Sequence, residues 1–290
     1  MAKYSSINKT RSVKMRIRLV HPIKDRIKVL MVLLFVLVSL VATIIVAQKS
    51  GGEEKQSTIE KLLTTAMQPV GNTMYIWGGG WDGEDQASGA TATRLGLSET
   101  WSKFAEEQDE NYDFEKYRFE REKGLDCSGY VGWVLYNTFE KEDGESGYVT
   151  TSTDMATSLA ERGWGKLIKN PRTFLPGDIV SMEGHVWICL GTCEDGSVLL
   201  VHSSPPGVSV CGTTSMDQIE SHQSVAVSLA TEYMTSVHSN WQERYPNRQV
   251  DIAYLENVIL FRWSKNVMLD AEEMQGKTAE EIMRILSPDM

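Results

Sequence analysis

Gly124-Leu125-Asp126-Cys127-Ser128-Gly129-Tyr130-Val131 opens an apolar run that continues to Phe139. Val131, Val134, Leu135 and Phe139 recur at three- and four-residue intervals, which predicts a helix over Asp126–Phe139 with Cys127 in its first turn. A cysteine there feels the positive end of the backbone dipole, which favours the thiolate. Two strand patterns that carry histidines follow: Gly184-His185-Val186-Trp187-Ile188 and Leu200-Val201-His202-Ser203-Ser204. A histidine beside a thiol can take its proton, and a second polar residue can orient that histidine. Cys127 is therefore the candidate nucleophile, His185 the candidate general base and His202 the orienting third residue. His21, His222 and His238 lack such context and read as bystanders.

Working outward from this stretch, Ile59, Leu62, Leu63 and Met67 form a helical stripe behind the capping residues Ser57-Thr58, and Pro69 and Gly71 end it. Tyr75-Ile76-Trp77 leads into three glycines at 78–80, a turn exposing backbone at close range. Thr153–Arg162 reads as a short helix. Beyond Pro176-Gly177 strands dominate: Asp178–Met182, His185–Leu190, Ser197–Ser203 and Val208–Cys211, with Asp195-Gly196 as a hairpin turn. Alternation places His185, Trp187 and Cys189 on one strand face. Val258–Trp263 is a strand candidate and Ala279–Leu286 a helix candidate. The fold class implied is α+β, a nucleophile-bearing helix packed on an antiparallel sheet that bears the histidines.

Charge divides the chain. Residues 1–28 hold nine Lys/Arg against Asp25, so the total of −10 leaves −18 for the remainder. That acidic remainder argues against nucleic-acid binding, which needs basic patches. Val29–Ala47 contains no charge and only Ser39 and Thr43 as polar residues. As a helix it would be about 28 Å long, enough to cross a bilayer core. The basic head puts the N-terminus in the cytoplasm and residues 50–290 outside, joined by a stalk at 48–56. The alternative is a signal peptide cleaved near Ala47. The four cysteines form no zinc pattern. With Cys127 kept free, either Cys193–Cys211 pair as a disulfide or Cys189, Cys193 and Cys211 are all buried thiols.

Five pieces together resemble the NlpC/P60 cell-wall cysteine peptidases of the papain-like superfamily: Tyr75-Ile76-Trp77-Gly78-Gly79, Leu125-Asp126-Cys127-Ser128-Gly129, Pro176-Gly177-Asp178-Ile179-Val180, Gly184-His185-Val186, and Val201-His202-Ser203-Ser204 with Gly207-Val208. They stand in the family's order. The resemblance implies a catalytic domain over 57–215, followed by an extension over 216–290 packed upon it. It implies hydrolysis of peptidoglycan stem peptides at the bond between D-γ-glutamate and a diamino acid, with no metal or organic cofactor. By motif position, Tyr75 lines the substrate groove or packs in the core. Asp126 receives a free amino terminus or only caps the helix, and Ser128 joins them as a substrate contact. Trp187 stands where the family often has glycine and is expected to fill a subsite. Residues 81–123 are an insertion, either a solvated excursion or a wall of the groove. The competing readings are a silent wall-binding scaffold of the same fold, or an amidase or acyltransferase using the same cysteine and histidine.

Overall fold

The computed structural model describes residues 57–83, 87–139, 146–214 and 224–288, together with Lys28, Leu30, Met31, Leu33 and Leu34. Those five N-terminal residues are helical and exposed. The basic head, the apolar run and the stalk otherwise lie outside the described residues. Among the described residues no helix is long and apolar enough to cross a membrane. Residues 56–290 form one compact unit.

That unit begins with α1 (Ile59–Met67), whose Thr58 side chain accepts the Lys61 N–H at 3.0 Å. Strand β1 (Met74–Tyr75), α2 (Glu99–Glu106) and β2 (Gly124–Leu125) follow, then α3 (Cys127–Phe139) and α4 (Met155–Glu161). Next come β3 (Gly165–Lys169), β4 (Ile179–Met182), β5 (His185–Thr192), β6 (Val198–Ser204) and β7 (Gly207–Thr213). The chain closes with α5 (Val225–Val237), α6 (Ser239–Arg244), β8 (Gln249–Val250), β9 (Ile259–Trp263) and α7 (Ala279–Leu286). The α+β class is as expected from the sequence.

The strands form one sheet in the order β2-β1-β7-β6-β5-β4-β9-β3, with β8 also on β7. It is mixed rather than antiparallel. From β1 to β3 every pairing is antiparallel, but β1 runs parallel to β2 and β8 parallel to β7. The extension beyond residue 215 contributes to the same sheet, because β9 sits inside it between β4 and β3. A bidentate ion pair fixes that position. Arg262 on β9 donates from Nε (2.9 Å) and Nη2 (2.7 Å) to the carboxylate of Asp178, which has no solvent exposure. A buried carboxylate left alone is expensive, so the Pro176-Gly177-Asp178 turn depends on this distant partner.

Each sheet face has its own apolar cluster. Val186, Ile188, Leu190, Leu199 and Val201 point toward α3 and α1, meeting Val131, Val134, Leu62 and Leu63. Trp187, Cys189, Leu200 and Cys211 point the other way, against Phe174, Leu255, Val258 and Leu260. Helix α3 is buried on almost every side, consistent with its near-continuous apolar sequence. Cys193 belongs to the first cluster and Cys211 to the second, which accords with the alternative of buried thiols rather than a Cys193–Cys211 disulfide. All four cysteines are free and buried.

Candidate active site

Asp126 starts the site by ending a short extended segment and capping α3. Its Oδ1 accepts the Gly129 N–H at 2.7 Å and the Ser128 hydroxyl at 2.9 Å, and Oδ2 accepts the Gly78 N–H at 3.2 Å. The Gly129 bond is the ordinary geometry of a helix N-cap. The cap also ties the glycine turn 78–80 to the helix start, and the Asp126 N–H donates to the Gly79 carbonyl at 3.0 Å. Gly129 permits this approach. A β-carbon there would fall inside the Gly79 carbonyl oxygen's contact distance and 2.9 Å from Gly80 Cα.

Cys127 follows in the first turn, 6% exposed, on the floor of a cavity of about 440 Å³. That volume is within the range of small-molecule sites. Tyr75, Asp126 and Ser128 line the same cavity, as expected from the motif. So do Trp77, Trp81, Phe119 and Arg121. The last three come from residues 81–123, so that insertion builds part of the cavity wall. Ser128 couples wall to floor: its hydroxyl accepts from Trp81 Nε1 at 3.1 Å while donating to Asp126.

The histidines stand as a pair on neighbouring strands. His185 Nε2 and His202 Nδ1 are 2.9 Å apart, with rings nearly perpendicular. His185 heads β5 directly before Val186, whose backbone N–H points to the Cys127 sulfur. Because His185 uses Nε2 on His202, proton exchange with a thiol falls to Nδ1. Tyr254, from a turn before β9, covers both rings at 5.4 and 5.8 Å. Arg248, 2% exposed, donates from Nη2 to the Tyr245 carbonyl and lies close enough to depress His202 by its charge.

Burial decides the protonation states. It pushes the Cys127 thiol up to about 12, helped by the Asp126 carboxyl and opposed by the amides of Val186, Ser128 and Cys127 itself. It pushes His185 down to about 4, and His202 well below the usual range with help from His185 and Arg248. At rest the Cys127 thiol is protonated and both imidazoles are neutral. Desolvation thus opposes the thiolate that a helix N-terminus favours. Asp126 is raised to about 6, again by burial, against its three hydrogen bonds and a fourth from the Ser128 N–H.

Trp187 is corrected. It shares a strand face with Cys189 as the alternation required, but that face is sealed. The indole has no solvent exposure and stacks on Phe174 at 5.8 Å, so it fills core rather than a subsite. Sequence reasoning missed Tyr254, Arg248, Phe119 and Arg121. The clustering of Arg118-Phe119-Glu120-Arg121 just ahead of the nucleophile was the available signal for the last two. Nothing local marks Tyr254 or Arg248, because their positions depend on β8 and β9 joining the sheet. In comparison with known proteins, the chain matches no family model, no curated protein and no solved structure.

Proposed function

We propose that this chain is a cysteine peptidase of the NlpC/P60 kind, acting on peptidoglycan stem peptides outside the membrane that its N-terminal segment anchors it to. The observation that carries the reading is the His185–His202 pair at 2.9 Å, in which His185 directly precedes Val186, whose N–H meets the Cys127 sulfur. The family resemblance supplies the substrate, and the net charge of −18 over residues 29–290 accords with a partner other than nucleic acid.

The chemistry begins from neutral partners. His185 Nδ1 takes the thiol proton as the sulfur attacks the γ-carbonyl carbon of glutamate, while His185 Nε2–H holds to His202 Nδ1. Amides of Cys127, Ser128 and Val186 around the sulfur are the groups available to stabilise developing negative charge. Breakdown cleaves the C–N bond, and Nδ1–H protonates the leaving amine. Water, deprotonated by the same nitrogen, then breaks the thioester and restores the thiol.

The buried, protonated thiol favours a second reading, a protein that binds wall peptide in this cavity without cutting it. One experiment separates the two. Purified peptidoglycan is incubated with the full chain or its Cys127→Ala variant, and the products are read by mass spectrometry. The peptidase reading expects a new amine on a diamino acid with the native chain alone. Unchanged muropeptides with a well-folded native chain would leave only the binding reading.

A further inference from the structure

We infer that Arg121 forms an anion subsite beside Cys127, selecting substrates whose residue at the scissile carbonyl bears a free carboxylate. Arg121 and Cys127 line the same cavity. The guanidinium lies over the Phe119 ring at 5.2 Å, its Nε is buried without a hydrogen-bond partner, and no ion pair to it is found among the described residues. The nearby carboxyl, Asp126, is committed to Gly129, Ser128 and Gly78. Arg118, by contrast, pairs with Glu115 at 3.0 Å and lies over Trp77 at 4.9 Å.

The subsite is built rather than incidental. Phe119 adopts φ 64°, a conformation rare for an aromatic residue, held by its N–H on the Trp77 carbonyl at 2.8 Å. Two glycines with positive φ make room for it. A β-carbon at Gly78 would lie 2.9 Å from Phe119 Cδ1, and one at Gly83 would lie 2.7–2.8 Å from the Arg121 guanidinium. The outcome is a guanidinium held against one face of Phe119, whose ring is 55% exposed, in a cavity that Trp77, 45% exposed, also lines. A planar guanidinium with free donors matches a carboxylate in shape and charge.

The inference rests on the proposed function. A γ-linked glutamate necessarily leaves its α-carboxylate free beside the scissile γ-amide, whereas amidation of that group removes the charge. The chain should therefore prefer the free acid to the carboxamide.

The test measures binding, without turnover. The full chain carrying Cys127→Ala is titrated calorimetrically with two tripeptides of alanine, γ-linked D-glutamate and a diamino acid. One has the α-carboxylate and the other the α-carboxamide. The carboxylate should bind about tenfold or more tighter, the scale of one charge-assisted hydrogen bond. Arg121→Gln should equalise the two, and Arg121→Lys, which keeps charge without the fork, should retain part of the preference. Equal binding of both peptides by the Arg121 chain, or a preference surviving in a folded Arg121→Gln chain, would overturn the subsite alone. Binding of neither peptide would defeat the stem-peptide reading and the subsite with it.

Discussion

Replacing Gly129 by alanine sets two effects of opposite sign against each other. Residue 129 is helical, and alanine exceeds glycine in helix propensity by about 1 kcal/mol. Propensity alone therefore predicts a more stable protein. The added β-carbon, however, would lie 2.9 Å from both Gly79 C and Gly80 Cα and closer still to the Gly79 oxygen. These are backbone atoms, so no rotamer change relieves the clash; the turn and the helix must separate. Overpacking of this kind costs about 1–3 kcal/mol. Separation also strains the Asp126 N–H bond to Gly79 and the Gly78 N–H bond to Asp126, each worth about 1 kcal/mol. The clash wins, for a net loss of about 2–3 kcal/mol. For a unit of this size that is a fall of about 5–10 °C in Tm. Thermal unfolding by circular dichroism reads it, and iodoacetamide labelling of Cys127 in the folded variant should accelerate as the floor of the cavity opens. A Gly129→Ala chain at least as stable as the native one would refute the close approach on which this geometry rests.

Other consequences follow from the protonation states and from the cover over the histidines. Asp126 is raised by burial to about 6 from the ordinary carboxylate value of 3.8, so the native state binds its proton first as pH falls. Its contribution therefore stabilises the fold on going from above pH 6 toward pH 4, by up to about 3 kcal/mol. Urea midpoints at pH 7 and pH 4.5 should reveal this as a difference between native and Asp126→Asn chains; identical pH dependence in both would contradict it. With its thiol near 12, Cys127 should alkylate ever faster above pH 9, where an ordinary cysteine levels off. A plateau near neutral pH would instead reveal a thiolate–imidazolium pair. Tyr254→Ala should let water reach the histidine rings and move the His185 titration up toward its ordinary 6.5, whereas Tyr254→Phe keeps the ring cover and leaves it low. NMR of the imidazole protons follows both variants, and an unmoved titration in the alanine variant would remove Tyr254 from the site.

Local periodicity made the first helix, the nucleophile helix, the His185 and His202 strands and the terminal helix legible, with ends displaced by a residue or two. These segments carry their own signals: a stripe, a cap, an alternation, an Asp-Gly turn. What the sequence hid depends on partners far along the chain. Strand β9 joins β4 through Leu260 beside Val180, eighty residues away, and nothing near Val258–Trp263 announces an interior position. Strand β3, Gly-Lys-Leu-Ile-Lys, reads as a polar segment because it lies at the sheet edge with only one neighbour. Alternation correctly grouped Trp187 with Cys189, but not the Leu255, Val258 and Leu260 cover that makes their face core. The same gap explains the thiol. A helix N-terminus is visible in sequence, whereas the burial that opposes its dipole is a property of the assembled fold.

Covalent attack by Cys127 is open to a quenched-reaction experiment. The full chain is mixed with a stem tripeptide, stopped in acid within the first turnover, digested and mapped by mass spectrometry. An alanyl-γ-glutamyl adduct should appear as a thioester on Cys127, absent from the Cys127→Ala chain and reduced when His185 is replaced by alanine. Cleaved peptide with no adduct on Cys127, or an adduct carried by Cys189, Cys193 or Cys211, would contradict it.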